Sequence, residues 1–360
     1  MKKQLIRTIS GAILSISIIT GSFAQTPDPT LPNFDEIIIA GGADMSTYMN
    51  HYIRPFMNSF GTGTANGWYN TAATHQPLGF DLTFYVSLVS VPDQDLSFNF
   101  LQSEYNNLRL ATGGPDAVLP TLIGGTTGGL QFVSSVTDPV TGTVVSSPPF
   151  NVPNGVGEDI PTKNIPVPMV QLAVGIIKNT ELIVRYAPTV TIGKKKDFEL
   201  KFFGIGVKHD FKQWIPGIKT VPIDLSILIG YTNLNTDFFF SNTGTSVVQV
   251  SSGSKASFDA RIWTVQALVS KKISVLTVYG GIGYNSINSE YDMTGEYGFQ
   301  DVLDPSKTVF VEDPVSLEFP LNGFRATAGL RLKFAIFTLH ADYTLQEYNT
   351  LTVGFGFSVR

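Results

Sequence analysis

Five polar residues near the C-terminal end are of the types that bind or steer charge. Arg325, Arg331 and Lys333 alternate with Phe324, Ala326, Ala328, Leu330, Leu332 and Phe334, while His340 and Asp342 alternate with Phe337, Leu339, Ala341, Tyr343 and Leu345. Alternation at period two belongs to a strand whose two faces meet different surroundings. A tight hairpin centred near Phe334-Ala335 would set Arg331 near Thr338, Gly329 near His340 and Thr327 near Asp342. Arg325, Arg331, Lys333, His340 and Asp342 would then share one wall, with Gly354 and Gly356 leaving room beside them. Such a cluster suits an electrostatic constriction or a handle for a ligand's anionic group. It equally suits a salt-bridge network that neutralises an interior or holds a plug.

A hydrolytic site needs a nucleophile, a base and an orienting group. His340 with Asp342 could pair as base and carboxylate, and Ser358 falls on the inner face of the next strand. The four histidines (51, 75, 209 and 340) lie in no nucleophile motif. His209 and Asp210 are sequence neighbours on opposite strand faces. No catalytic residue and no enzyme activity are therefore expected. Metal-ligand spacings and a phosphate loop are missing from the sequence, since Gly113-Gly114, Gly124-Gly125 and Gly128-Gly129 read as turns. The chain has no Cys, so neither disulfides nor thiolate chemistry enter, and no cofactor or metal is expected. A net charge of −5 argues against a nucleic-acid partner.

The elements that must position these residues are read from both ends. Lys2, Lys3 and Arg7 precede an apolar run from Ile9 to Ile19, and Ser22 and Ala24 offer small side chains for cleavage after Ala24. The run is shorter than the roughly 20 residues of a spanning helix, so residues 1–24 read as a signal peptide rather than an anchor. At the other end, Leu351, Val353, Phe355, Phe357 and Val359 alternate with Thr352, Gly354, Gly356 and Ser358. The strand resembles the terminal segment by which outer-membrane barrels are taken up for assembly, with Phe355 and Phe357 as the contacts to the assembly machinery, although it ends in Arg360. Charged residues are only 15 % of the chain, against an average of about 25 %, as expected of a surface that faces outer-membrane lipids.

Clear strands are predicted over 80–88, 166–178, 181–192, 198–210, 223–231, 256–271, 273–286, 323–334, 335–346 and 351–359, with weaker ones over 95–110 and 117–134. The fold class predicted is all-β, an antiparallel transmembrane barrel of about twelve strands, with ten to fourteen within reach of the length. Short links at Lys178-Asn-Thr-Glu181, Ser270-Lys-Lys-Ile273 and Phe334-Ala335 fall on one side, and long ones near 135–165, 234–255 and 287–321 on the other. The link Phe211–Gly217 carries Lys212 and Trp214 suited to an interface, and Lys194-Lys-Lys196 reads as a solvated tip. Acidic loop 287–321 reads as solvated, with cation or partner binding as the alternative.

Residues 25–78 differ in kind. Met45, Tyr48, Met49, Tyr52, Ile53 and Phe56 follow helical spacing, Asp44 is a candidate N-cap, and a short helix is predicted from Asn33 to Ala40. Gly61–Gly67 reads as the exit from the helix. These apolar faces must be buried, either as a plug in the lumen or against the periplasmic rim. The barrel proper is taken as 79–360.

The stretch Asn66-Gly-Trp-Tyr-Asn-Thr-Ala72, with His75 and Gly79-Phe-Asp81, together with Gly204-Ile-Gly-Val-Lys-His-Asp-Phe-Lys-Gln-Trp-Ile-Pro216, resembles a family of uncharacterised Bacteroidota outer-membrane proteins catalogued as a domain of unknown function. An N-terminal helical segment ahead of a barrel is similar in layout to FadL-like fatty-acid transporters. The function expected is a cell-outer-membrane channel for a small hydrophobic or amphipathic ligand, occluded by the N-terminal segment, with Tyr48, Tyr52 and Phe56 of the plug along the path. The alternative is a structural or surface-display barrel whose long loops contact partners.

Overall fold

The computed structural model describes residues 35–157, 164–192, 198–218, 220–239 and 248–359. The signal peptide, its cleavage after Ala24 and the Lys194–Lys196 tip lie outside the described residues. Ten strands form a closed antiparallel barrel. They are β1 (Phe80–Ser90), β2 (Asn164–Ile177), β3 (Thr180–Ile192), β4 (Phe198–Asp210), β5 (Asp224–Phe239), β6 (Lys255–Ile273), β7 (Leu276–Thr294), β8 (Val315–Phe334), β9 (Phe337–Leu345) and β10 (Thr350–Val359). Each pairs with its neighbours in the chain. The ring closes where β1 meets β10, from Phe80↔Val359 to Val89↔Thr350. Every backbone group in the wall can thus pair within the sheet, the condition for crossing lipid with strands.

The alternation read from the sequence becomes the two faces of this wall. On β10, Leu351, Val353 and Phe355 are exposed while Thr350, Thr352, Gly354 and Ser358 are buried. Around the ring the outer face carries Leu172, Ile205, Ile229, Val265, Ile282 and Leu339, all well exposed. A contiguous apolar band of this kind fits lipid rather than water. Phe355 lies in it, stacked on Phe84 at 5.3 Å, and Phe357 lies against Phe337 at the same spacing.

The strand number differs from twelve for a local reason. The stretches 95–110 and 117–134 break into pieces such as Ser97–Leu101, Asp116–Pro120 and Gln131–Thr137, separated by 3-10 turns and by Gly113 and Gly114 at φ 100° and 105°. None reaches the roughly 9–11 residues that cross a bilayer. They pair instead into small sheets over the long-connection end of the barrel. A three-stranded sheet of Val248–Val250, Glu296–Gln300 and Thr308–Glu312 adds to that cap. Acidic loop 287–321 is shorter than expected, because β7 and β8 run on through Thr294 and from Val315.

Two turns also move. Residues 270–273 belong to β6, and the reversal falls at Ser274-Val275, with Ser274 at φ 57°. The β8–β9 hairpin turns on Ala335-Ile336, with Ala335 at φ 54°. Its register is therefore Arg331↔His340, Gly329↔Asp342 and Thr327↔Thr344, two residues from the expected pairing. Parity is unchanged, so the same side chains still face inward.

Helix α1 (Gly42–Ala65) stands inside this ring. Its first residue lies against Pro314 at the long-connection end, and Ser46 Oγ donates to Pro314 O at 3.1 Å. The helix is buried on nearly all sides, with Met45, Tyr48, Met49 and Tyr52 almost inaccessible. A short 3-10 helix, Asp35–Ala40, precedes it where the sequence predicted a helix from Asn33. Gly61 and Gly63, expected to release the helix, lie within it. A Cβ on Gly61 would stand 2.8 Å from the Ile287 side chain, and one on Gly63 2.5 Å from Val167. These glycines let the helix approach the wall. Beyond Ala65 the chain runs without regular structure to the short-turn end, where Leu78 N–H donates to Gly175 O at 2.9 Å. The segment is thus threaded from the long-connection mouth downward and does not dock on the short-turn rim.

Asp44 is not the N-cap, a position held by Gly41 at φ 98°. Its carboxylate accepts from the backbone N–H groups of Asn106, Asn107 and Leu108 at 2.9, 2.7 and 2.8 Å. One helical side chain therefore holds down the cap loop. Tyr48 and Tyr52 stack at 5.6 Å, and Tyr48 meets Phe98 and Phe132 edge-on at 5.7 Å each. Burial among these rings pushes both phenols well up, so they stay neutral. We expect Asp44→Ala to release three loop N–H donors, of which that of Leu108 is buried, at a cost of about 2 kcal/mol. Limited proteolysis should then cut residues 102–116 faster while the barrel keeps its heat-modifiable gel mobility; unchanged cap protection would count against this role.

Candidate functional site: the filled lumen

The last turn of a helix leaves four carbonyls without intrahelical partners. In α1 these are the carbonyls of Thr62, Gly63, Thr64 and Ala65, and all are met. Asn66 Nδ2 donates to Thr62 O at 2.8 Å, and its N–H donates to Gly63 O at 3.2 Å. Arg185 on β3 donates through Nη1 to Thr64 O at 3.0 Å and through Nη2 to Asn66 O at 2.7 Å. From the facing wall, Arg325 on β8 donates through Nη1 to Ala65 O at 3.0 Å and through Nη2 to Asn66 Oδ1. Both guanidiniums are buried, and these bonds go to carbonyl and amide oxygens at the negative end of the helix dipole. A planar fork of donors suits such a carbonyl cluster in a way a lysine would not.

Trp68 completes the clamp. The Arg185 guanidinium lies 3.5 Å from the centre of its ring, and the indole rests on Gly206 and Gly230, which face each other on β4 and β5. A Cβ at either glycine would come within 2.7 Å of the ring. Arg185 Nε donates to Gln171 Oε1 at 2.9 Å, and Gln171 Nε2 donates to Trp68 O at 3.2 Å. Tyr69 occupies a second glycine recess at Gly281 and meets Tyr279 edge-on at 5.7 Å.

Lower in the lumen the linker is fixed by charge. His75 Nδ1 lies 2.6 Å from Glu181 Oε2, which also accepts the His75 backbone N–H at 3.1 Å. Lys208 Nζ pairs with Glu181 Oε1 at 2.9 Å and donates to Thr71 O at 3.3 Å. Arg331 pairs with Asp81 at 2.8 Å. Lys333 Nζ donates to both the carbonyl and the hydroxyl of Ser358 at 3.0 Å.

The five wall residues predicted from the sequence all face the lumen, but they do not form one ring. Arg325 belongs to the helix clamp, and Arg331 and Lys333 lie near the short-turn mouth. His340 packs over Gly354, where a Cβ would fall 2.4 Å from its ring. Asp342 accepts from Tyr279 Oη at 2.8 Å. The possible trio of His340, Asp342 and Ser358 is not assembled, and Ser358 Oγ lies 3.3 Å from His75 Nε2 instead. Of the plug aromatics, Tyr48 and Tyr52 point into the cap core, and Tyr52 Oη donates to Asn154 O at 2.6 Å. Phe56 is partly buried and stacks on Phe60 at 5.9 Å.

Arg185, Glu181 and Lys208 were not among the predicted site residues. Their signal was in the sequence, since a charge inside an otherwise apolar strand has to face the lumen. The two stretches that carry the family resemblance meet in this site: Trp68 lies on Gly206, and His75 and Lys208 share Glu181. The family model covers residues 1–359. The chain belongs to DUF6588, a family of unknown function. No curated protein matches it.

Among solved structures, this DUF6588 chain is similar to the translocator domain of the autotransporter NalP from Neisseria meningitidis, at 12 % identity and TM-score 0.29, over 79 % of this chain and 90 % of that one. It is also similar to the toluene transporter TodX from Pseudomonas putida, at 7 % identity and TM-score 0.26, over 80 % and 95 %. A third is Ail of Yersinia pestis, at 8 % identity and TM-score 0.26, over 79 % and 99 %. Likeness at this level carries no argument about function, and the barrel rests on its own closed hydrogen bonding.

Replacing Arg185 by Ala should cost about 3 kcal/mol, because it strands buried carbonyls as well as removing charged donors. The measurement is the temperature at which the folded gel band converts to the unfolded one, and an unchanged temperature would refute the clamp. Gly206→Val should push Trp68 off its seat at about 1–3 kcal/mol. Trp263 stands in the outward apolar band and Trp214 at the short-turn end, so the shift is read from the emission of a Trp214→Phe/Trp263→Phe background, in which Trp68 is the remaining indole.

Proposed function

We propose that this protein is an outer-membrane barrel that works closed, its lumen sealed by residues 42–79 and its folded cap presented at the cell surface. The observation that carries the reading is the grip of Arg185 and Arg325 on the C-terminal carbonyls of α1. A segment whose last turn is capped by the wall, and whose indole fits a pair of wall glycines, is built to stay. The cap is the face built from the long connections, and its aromatic core of Tyr48, Phe98 and Phe132 holds it as a surface for a partner. Short connections at one end and long ones at the other orient such barrels with the long ones outside. The apolar outer band supports contact with outer-membrane lipids, and Phe355 and Phe357 remain the proposed contacts for assembly.

Passage of a small hydrophobic or amphipathic compound is the second reading, and one observation favours it. From Asn66 to Gly79 the lumen is filled by irregular backbone held through side-chain hydrogen bonds. That stretch can change partners without unfolding a helix or a strand. Passage would require it to leave the lumen.

Because the chain has no Cys, single cysteines report sidedness cleanly. Val140→Cys in the cap should react with an impermeant maleimide on intact cells, whereas Trp214→Cys should react only after the outer membrane is permeabilised. The opposite pattern would invert the orientation and end the surface reading. In planar bilayers the unaltered protein should be silent, and the Arg185→Ala/Arg325→Ala double variant should show conductance steps. Steady conductance of the unaltered protein would sink the closed-barrel reading and leave passage in its place.

A further inference from the structure

At the short-turn mouth the wall and linker enclose a cavity of about 220 Å³, lined by His75, Arg331, Lys333, Lys272, Thr277 and Ser358 among others. Three of its surrounding groups form a continuous chain of contacts. Lys333 Nζ donates to Ser358 Oγ at 3.0 Å, and with His75 neutral the hydroxyl donates to its Nε2 at 3.3 Å. His75 Nδ1, at 2.6 Å from Glu181 Oε2, then carries the ring proton. The same carboxylate oxygen accepts the His75 backbone N–H, so the imidazole is held from two points. Lys208 occupies the other carboxylate oxygen at 2.9 Å and leaves Oε2 to the histidine. Nucleophile, base and orienting group thus stand in the order that activates a serine.

The structure of the linker alone does not require this arrangement. Glu181 and Lys208 already tie residues 71–75 to the wall, and neither contact needs a hydroxyl at position 358 or an open cavity beside it. Positive charge in the lining comes from Lys333 and from Lys272, exposed at the rim, since Arg331 is paired with Asp81 at 2.8 Å; Asp224 is the carboxylate of the lining and accepts from Ser270 Oγ at 3.2 Å.

We propose that Ser358 and His75 are a catalytic nucleophile and base, positioned by Glu181, that cleave a small acyl ester bearing an anionic group. Ser358 Oγ attacks the acyl carbon while its proton passes to His75 Nε2. The oxyanion forms beside the Lys333 ammonium, which stabilises it electrostatically. Collapse breaks the acyl C–O bond, and the alcohol leaves with the proton from His75. Water in the same cavity then gives a proton to His75 and attacks the acyl-serine, which releases the carboxylic acid and restores the Ser358 hydroxyl. The net reaction is one ester and one water to one acid and one alcohol. This assignment is independent of whether the barrel opens.

The test uses the full chain, purified from membranes in detergent, with an alkyl fluorophosphonate and p-nitrophenyl butyrate as probes. The expected result is a covalent adduct mapped by peptide mass to Ser358, and no adduct on the exposed Ser306 of the same molecule. His75→Gln should slow labelling by about 100-fold or more, the usual contribution of a positioned base. Ser358→Ala should abolish both the adduct and ester hydrolysis, with heat-modifiable mobility confirming that each variant folds. The proposal is overturned if the unaltered protein gives no adduct at Ser358, a result that needs no variant. It is also overturned by His75→Gln labelling at the original rate, or by hydrolysis that survives Ser358→Ala.

Discussion

A helix that ends inside a membrane barrel must satisfy its final carbonyls without water, and that constraint organises this molecule. The wall supplies Arg185 and Arg325 from opposite sides, and Asn66 supplies the rest. Each arginine in turn needs a partner for a charge that lipid and a packed interior both disfavour. The helix terminus, with its partial negative charge, is that partner. Plug and wall therefore stabilise each other, and neither set of groups is satisfied alone.

The other features follow from fixing that point. With Asn66 held, the chain has only residues 67–79 to reach β1, so Trp68 must lie flat on the wall and glycines must stand at 206 and 230. His75 then arrives at Glu181 and brings its other ring nitrogen to Ser358. At the opposite end α1 projects its first turns above the strands, where Asp44 and the tyrosines become the anchor and core of the cap. One threaded segment thus builds a surface at one mouth and a polar cavity at the other.

The charged lining divides accordingly. Arg325, Arg331, Lys333, His340 and Asp342 share a wall, as their parity demanded, yet each serves a different neighbour. A ring of charge would have suited an open constriction. What the lumen holds is a series of contacts made to the plug, to Asp81, to Ser358, to Gly354 and to Tyr279. The outer apolar band and the inner polar face are consequences of a single alternation, whereas the partners of the inner residues are not.

How much could be read without coordinates depends on the range of the interaction. Strand identity, the two faces and the buried helix were legible because each is encoded over neighbouring residues: Leu351 to Val359 shows its parity unaided, and Met45 to Phe56 its helical period. The hairpin register was missed by two because the turn rests on Ala335 at positive φ, a conformation its residue type does not announce. The two supposed strands before residue 135 failed because propensity alone does not say whether a strand is long enough to cross. Glycines 61 and 63 read as a helix exit, since only the curved wall beside them shows why a side chain would not fit. The sequence by itself determined a membrane-type barrel with an inward polar face and an apolar helical segment, because alternation and helical period are local. Tertiary structure decided that Arg185 meets Thr64 and that His75 meets both Glu181 and Ser358. Those partners are brought together only by closure of the barrel around the threaded chain, and no local pattern records which points of a closed ring will face each other.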